Sequence, residues 1–120
     1  MLKSRVVIDE IFKQKKRFII YPLSINWVEQ VPGIPTRIVF SAPKRKFKRA
    51  VDRNRLKRML KEAYRTNNNE FLDYLKNNNK SLAFYIGYIG KEILPYKTIE
   101  NEIKEALIRL TTIIEKKDED

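Results

Sequence analysis

Residues 47–65 read Phe47-Lys48-Arg49-Ala50-Val51-Asp52-Arg53-Asn54-Arg55-Leu56-Lys57-Arg58-Met59-Leu60-Lys61-Glu62-Ala63-Tyr64-Arg65. Leu56, Met59, Leu60 and Ala63 recur at three- and four-residue spacing, which predicts a helix from about residue 50 or 51 to 64 or 65. Arg53, Lys57, Arg58, Lys61 and Arg65 fall outside that apolar stripe, and Arg55 is displaced from the main basic arc. Such a helix buries one face and projects cations from the rest.

On its N-terminal side, residues 44–48 form a basic loop, closed off from the strand at 37–40 by Pro43. Further upstream, Leu23, Ile25 and Trp27 alternate with Ser24 and Asn26, the period-2 signal of a half-buried strand. Phe18 to Tyr21 are strand formers too, and Pro22 splits the region by a bulge or an edge position. Pro32, Gly33 and Pro35 make residues 30–35 read as a hairpin turn. The chain opens on a short helical stripe from about residue 4 to 12, with Val7, Ile8, Ile11 and Phe12 on one side and Ser4 as its cap.

On the C-terminal side, residues 66–69 read as a helix stop and 70–76 as a short helical turn. Residues 82–89 are almost continuously apolar and aromatic, which predicts a central strand. Pro95 then precedes a helix through Ile99, Ile103, Ala106, Leu107 and Leu110 to about Ile114. The order predicts an α+β fold, a three- or four-stranded sheet covered by helices. We expect one domain over residues 1–115 and a charged tail at 116–120 that frays.

The charge is uneven. The 120 residues carry 26 Lys and Arg against 15 Asp and Glu, a net +11. Residues 1–65 hold 18 basic and 5 acidic residues, whereas 66–120 hold 8 and 10. A local basic footprint points to a polyanion site. The chain has no His and no Cys, which excludes disulfides, Cys/His zinc sites, cysteine nucleophiles and Ser-His-Asp triads. No apolar run approaches the ~20 residues of a membrane span, and we expect a cytoplasmic protein without membrane contact.

Taken with its spacing, the 47–65 segment closely resembles the signature of the bacterial ribonuclease P protein component. Arg53-Asn54-Arg55 matches the family's core, Leu56-Lys57-Arg58 continues it, and Lys61-Glu62-Ala63-Tyr64 completes it. Leu2-Lys3-Ser4-Arg5 with Ile11-Phe12, Ser41-Ala42-Pro43-Lys44-Arg45, the 82–89 strand and the 96–110 helix fit the remainder. Lys48 stands where members often have Gly, Met59 and Lys61 where they often have Arg, Ile8 where the first helix often has Phe, and Asn26 where the strand often has an aromatic.

The resemblance implies an αβββαβα topology with a left-handed βαβ crossover. It implies a protein subunit of a ribonucleoprotein whose RNA is the catalyst, cutting precursor tRNA at its 5′ end. The partners implied are the ribonuclease P RNA and precursor tRNA with its 5′ leader, with no obligate protein partner. Magnesium is then held mainly by RNA, and no catalytic or metal-binding residue is expected in the protein itself. The RNA-binding residues implied are Arg49, Arg53, Asn54, Arg55, Lys57, Arg58, Lys61 and Arg65. Arg forks to phosphate oxygens and Lys supplies a mobile point charge. Asn54 suits a contact with RNA or hydrated metal, or a local backbone hydrogen bond. The leader-cleft candidates are Phe12, Lys13, Lys16, Arg17 and Phe18, because aromatics stack on single-stranded bases with little sequence demand. Phe12 also suits an apolar core stripe. The alternatives are a standalone RNA-binding or ribosome-associated protein, a double-stranded-DNA binder and a protein-only nuclease.

Overall fold

A computed structural model describes residues 11, 13 and 16–119, with side chains described to residue 116. The opening helix expected at 4–12 lies outside the described residues except at its end, where Ile11 is helical and fully buried. The elements that follow are β1 (Arg17–Ile20), β2 (Leu23–Gln30), β3 (Arg37–Ser41), α1 (Ala50–Asn67), α2 (Asn69–Asn77), β4 (Ser81–Tyr88) and α3 (Tyr96–Glu119). Among the described residues, these three helices and a four-stranded mixed sheet make an α+β domain.

The strand order is β1-β2-β4-β3. Strands β1 and β2 pair antiparallel about the cis Tyr21–Pro22 bond, so Pro22 marks a turn between two strands. Strand β4 lies antiparallel to β2 and parallel to β3. The hairpin expected at residues 30–35 is therefore absent, because β4 sits between the strands it was to join. Segment 31–36 instead crosses the end of β4, spanning two inter-strand steps of about 4.8 Å. Gly33, at φ +100°, supplies the left-handed corner. The crossing is clamped by Gln30 Nε2, which donates to Pro35 O (3.1 Å), Ser81 Oγ (2.9 Å) and Leu82 O (3.2 Å). The buried Ser81 hydroxyl in turn donates to Ile34 O.

Registers place Leu23, Ile25 and Trp27 on the same face as Leu82, Phe84, Ile86 and Tyr88, and this face carries the core. Helices α1 and α3 cover it. Leu56, Leu60 and Ala63 of α1 and Ile99 and Ile103 of α3 are fully buried, as their spacing predicts. Tyr64 sets its ring edge-on to Phe40 and Phe84, and Phe71 meets Phe84 in the same way. Burial pushes the Tyr64 hydroxyl above its ordinary pKa.

Residues 66–69 are not an extended helix stop. Helix α1 continues to Asn67 and α2 begins at Asn69, so Asn68 alone separates them. Asn67 Nδ2 donates to Ala63 O (2.7 Å) within the last turn and to Glu100 Oε2 (3.2 Å) of α3. The amphipathic turn expected at 70–76 is a nine-residue helix, with Phe71 and Leu75 buried. Helix α3 extends past Ile114, where its apolar stripe ends, to Glu119.

Between β4 and α3, Tyr88 Oη donates to Glu92 O (2.6 Å) and accepts from Leu94 N (3.0 Å). This fixes the connector that delivers Tyr96. Gly90 is required there, since a Cβ would stand 2.9 Å from Tyr88 Cε1 and 3.1 Å from Pro22 Cβ.

Leu60→Ala removes a fully buried side chain from the α1 face and should destabilise the fold by about 2–5 kcal/mol. The neighbouring exposed Lys61→Ala should stay within about 0.5 kcal/mol of the unaltered chain. Urea unfolding monitored by circular dichroism measures both, and equal midpoints would place Leu60 outside the core.

Candidate nucleic-acid interface

Burying Leu56, Leu60 and Ala63 leaves one outcome for the rest of α1. Asn54, Arg55, Arg58, Lys61 and Arg65 are exposed and Lys57 is half-buried. Arg49, the residue before the helix, is exposed and supplies no side-chain cap to its first N–H groups. Those amides and the positive end of the helix dipole therefore add to the basic field. Asp52 is the acid of the first turn.

The basic loop is held against the body at two points. Phe47 is 7% exposed and packs its ring 5.8 Å from that of Tyr88. Lys46 Nζ donates to Ile89 O at the end of β4. Lys44, Arg45 and Lys48 are exposed beside it. Asn79 is the non-glycine residue with positive φ among the described residues, so Lys48 fills a frequent glycine position in ordinary backbone.

Two cations of the set are engaged. Arg53 is half-buried, and its Nη1 donates to Phe47 O (2.7 Å) and Lys48 O (2.9 Å). It lies at the edge of the core stripe, where its reach favours the preceding loop. Its first task is thus to tie the basic loop to α1. Arg65 is clasped by Glu62, with Nη2 2.7 Å from Oε1 and 2.9 Å from Oε2. Glu62 raises the Arg65 pKa, first by that hydrogen bond and then by its charge. Both side chains are well exposed, so the pair contributes little to stability.

The leader-cleft candidates do not form one cluster. Phe12 lies outside the described residues. Lys13 is exposed and Lys16 half-buried. Arg17 is exposed on β1, opposite Asn26 in register. Phe18 projects to the helix-covered face. Its ring stands 5.8 Å from Trp27, and the Arg109 guanidinium of α3 lies over it at 5.5 Å. Strand alternation thus separates Phe18 from Arg17. The face Arg17 shares carries Ser24 and Asn26, 9% and 5% exposed, with Tyr85 of β4 in register beside Asn26.

Sequence reading missed Tyr96. It sits half-buried at the start of α3, across a groove of about 560 Å3 from Arg55, Arg58, Met59 and Arg65. Pro95 and the i, i+3 spacing to Ile99 mark Tyr96 only as the first turn of a helix. Among the described residues no group of three His, Cys, Asp or Glu side chains could hold a metal ion. Among them, too, no helix is long and apolar enough to cross a membrane.

The ribonuclease P family matches residues 1–111 of the chain. Ribonuclease P protein components of two Porphyromonas gingivalis strains are 31% and 33% identical to it, over 113 and 116 residues. Each alignment covers 91% of this chain and 81% of the relative. The chain belongs to the ribonuclease P protein family. A ribonuclease P protein component of Borreliella burgdorferi is 29% identical over 108 residues, covering 90% of this chain and 87% of its own. The sheet and helices described above fit that family, and the chain's role is that of a ribonuclease P protein subunit, concerned with 5′ processing of tRNA.

Arg53→Ala removes two charge-assisted hydrogen bonds and should destabilise the ribonuclease P protein by about 1–2 kcal/mol. Arg58→Ala should stay within about 0.5 kcal/mol. Thermal and urea unfolding of the two variants measures this difference, and indistinguishable curves would show that the Arg53 clamp contributes nothing.

Proposed function

We propose that this chain binds the ribonuclease P RNA through the outer arc of α1 and the adjoining basic loop, and that it adds a contact to the 5′ leader of precursor tRNA. One observation carries the reading. Arg55, Arg58 and Lys61 are exposed together on a helix whose opposite face is immobilised in the core. The backbone that carries these cations is fixed before RNA arrives, so only their side chains remain to be ordered. Arg49, Lys57 and Arg65 extend the row, Asn54 adds a polar contact within it, and Arg53 acts mainly through the loop it holds.

The same residues define a division of labour. The row binds and orients RNA by charge, and nothing in it is placed to abstract or deliver a proton at neutral pH. The RNA subunit carries the bond cleavage. Magnesium, which supplies Lewis-acid and hydroxide chemistry when bound, is held by the RNA. The leader contact is assigned to Lys13 and Lys16, which precede β1, and to Arg17, its first residue. Phe18, turned toward α3, belongs to the core in this reading. A second copy of the chain or another protein is not required for any of these roles.

Reconstitution tests the proposal. The chain alone should leave precursor tRNA uncut, and adding the RNA subunit with magnesium should give 5′ cleavage. The triple variant Arg55→Ala, Arg58→Ala, Lys61→Ala should bind the RNA subunit more weakly and remain folded. Its slope of log affinity against log salt should be shallower by about 2–3. Arg17→Ala should weaken binding of leader-bearing substrate more than that of mature tRNA. Cleavage by the purified protein without RNA would contradict the division of labour, and an unchanged salt slope would remove the α1 row from the interface.

A further inference from the structure

The groove between α1 and the start of α3 has a composition that the phosphate-binding row does not explain. The row forms one wall, with Arg55, Arg58, Lys61 and Arg65, and Met59, Glu62 and Tyr96 complete the lining. Its volume, about 560 Å3, lies within the roughly 300–1,000 Å3 range of small-ligand clefts. Four cations face one carboxylate, and that carboxylate is occupied by Arg65. Between the charges lie a thioether and an aromatic ring, both half-buried and both packed against the core.

Tyr96 is held firmly. The Tyr88 hydroxyl bonds to Glu92 O and Leu94 N, and thereby fixes the connector before it. Thr98 N and Ile99 N bond to Pro95 O and fix the first turn after it. Arg65 and Tyr96 line the same groove. An aromatic side chain thus stands beside several exposed guanidinium groups, in a cleft open to solvent.

We infer that this groove takes one unpaired nucleotide of the RNA subunit, its base stacked on Tyr96 and Met59 and its flanking phosphates on Arg55 and Arg58. The inference rests on the RNA-subunit role proposed above and deepens it. A flat apolar surface beside a dense positive field fits a single-stranded nucleotide, which offers an exposed π-face and an anion within one residue. A duplex presents phosphates but hides its base faces, and would leave Tyr96 unused. Base identity is weakly specified here, because stacking tolerates every base.

The test uses the full chain and a transcript of the ribonuclease P RNA. Tyr96→Phe keeps the π-face, and its affinity should remain within twofold of the unaltered chain. Tyr96→Leu keeps apolar bulk without the ring and should bind about tenfold more weakly, about 1.4 kcal/mol, as expected for one lost base stack. Its salt slope should be unchanged, because stacking releases no counterions, whereas Arg58→Ala should lower the slope. Ultraviolet cross-linking of the unaltered complex should attach a nucleotide to Tyr96. Binding by Tyr96→Leu within twofold of the unaltered chain would overturn the inference and leave the subunit role intact. Failure of the unaltered chain to bind the RNA would overturn the subunit role itself, and the nucleotide site with it. Should Tyr96→Leu fail to fold, the cross-link decides, and its absence from Tyr96 overturns the inference.

Discussion

Leu56, Leu60 and Ala63 are sealed against the sheet with no exposed surface, and this contact orients everything else on α1. At 100° per residue, committing those three positions to the core leaves the exposed cations facing away from it as one set. The apolar burial also offsets the mutual repulsion of so many like charges on one helix. Without it, the 11 basic residues between 41 and 65 would favour an expanded chain. Packing and the display of charge are thus two sides of one element.

The central strand carries the complementary constraint. Strand β4 is flanked by β2 and β3, and Phe84 meets both Tyr64 of α1 and Phe71 of α2. Its far end receives the basic loop, through Phe47 against Tyr88 and Lys46 on Ile89 O. The same Tyr88 holds the connector to α3 by its hydroxyl. One residue at the end of β4 therefore positions the loop on one side and Tyr96 on the other.

Much of this was legible in the sequence, because periodicity reports which face of an element is buried. The 3.6-residue repeat located the core faces of α1 and α3, and the apolar run located β4 to within a residue at each end. Periodicity does not report the neighbour of a strand. The Pro32-Gly33-Pro35 segment thus read as a hairpin, whereas β4 inserts between β2 and β3 and the segment crosses its end. Composition does not say what a cation holds. Arg53 matched the family signature like its neighbours, yet its guanidinium turns back on Phe47 O and Lys48 O. Phe18 and Arg17 are adjacent in sequence and opposite in space, and Phe18 lies under Arg109 in the core layer. Nothing in the sequence around Tyr96 marks it, because its groove neighbours Arg55, Arg58 and Arg65 lie some 30 to 40 residues away in the chain.

The RNA-binding side proposed for the domain is α1 with its basic loop and the adjoining start of α3. Lysine acylation followed by peptide mass spectrometry tests it directly, in the presence and absence of the ribonuclease P RNA. The account predicts that the RNA shields Lys44, Lys48, Lys57 and Lys61 and leaves Lys76, Lys104 and Lys116 as reactive as in the free chain. Shielding of Lys76, Lys104 and Lys116 with Lys57 and Lys61 still fully reactive would contradict it.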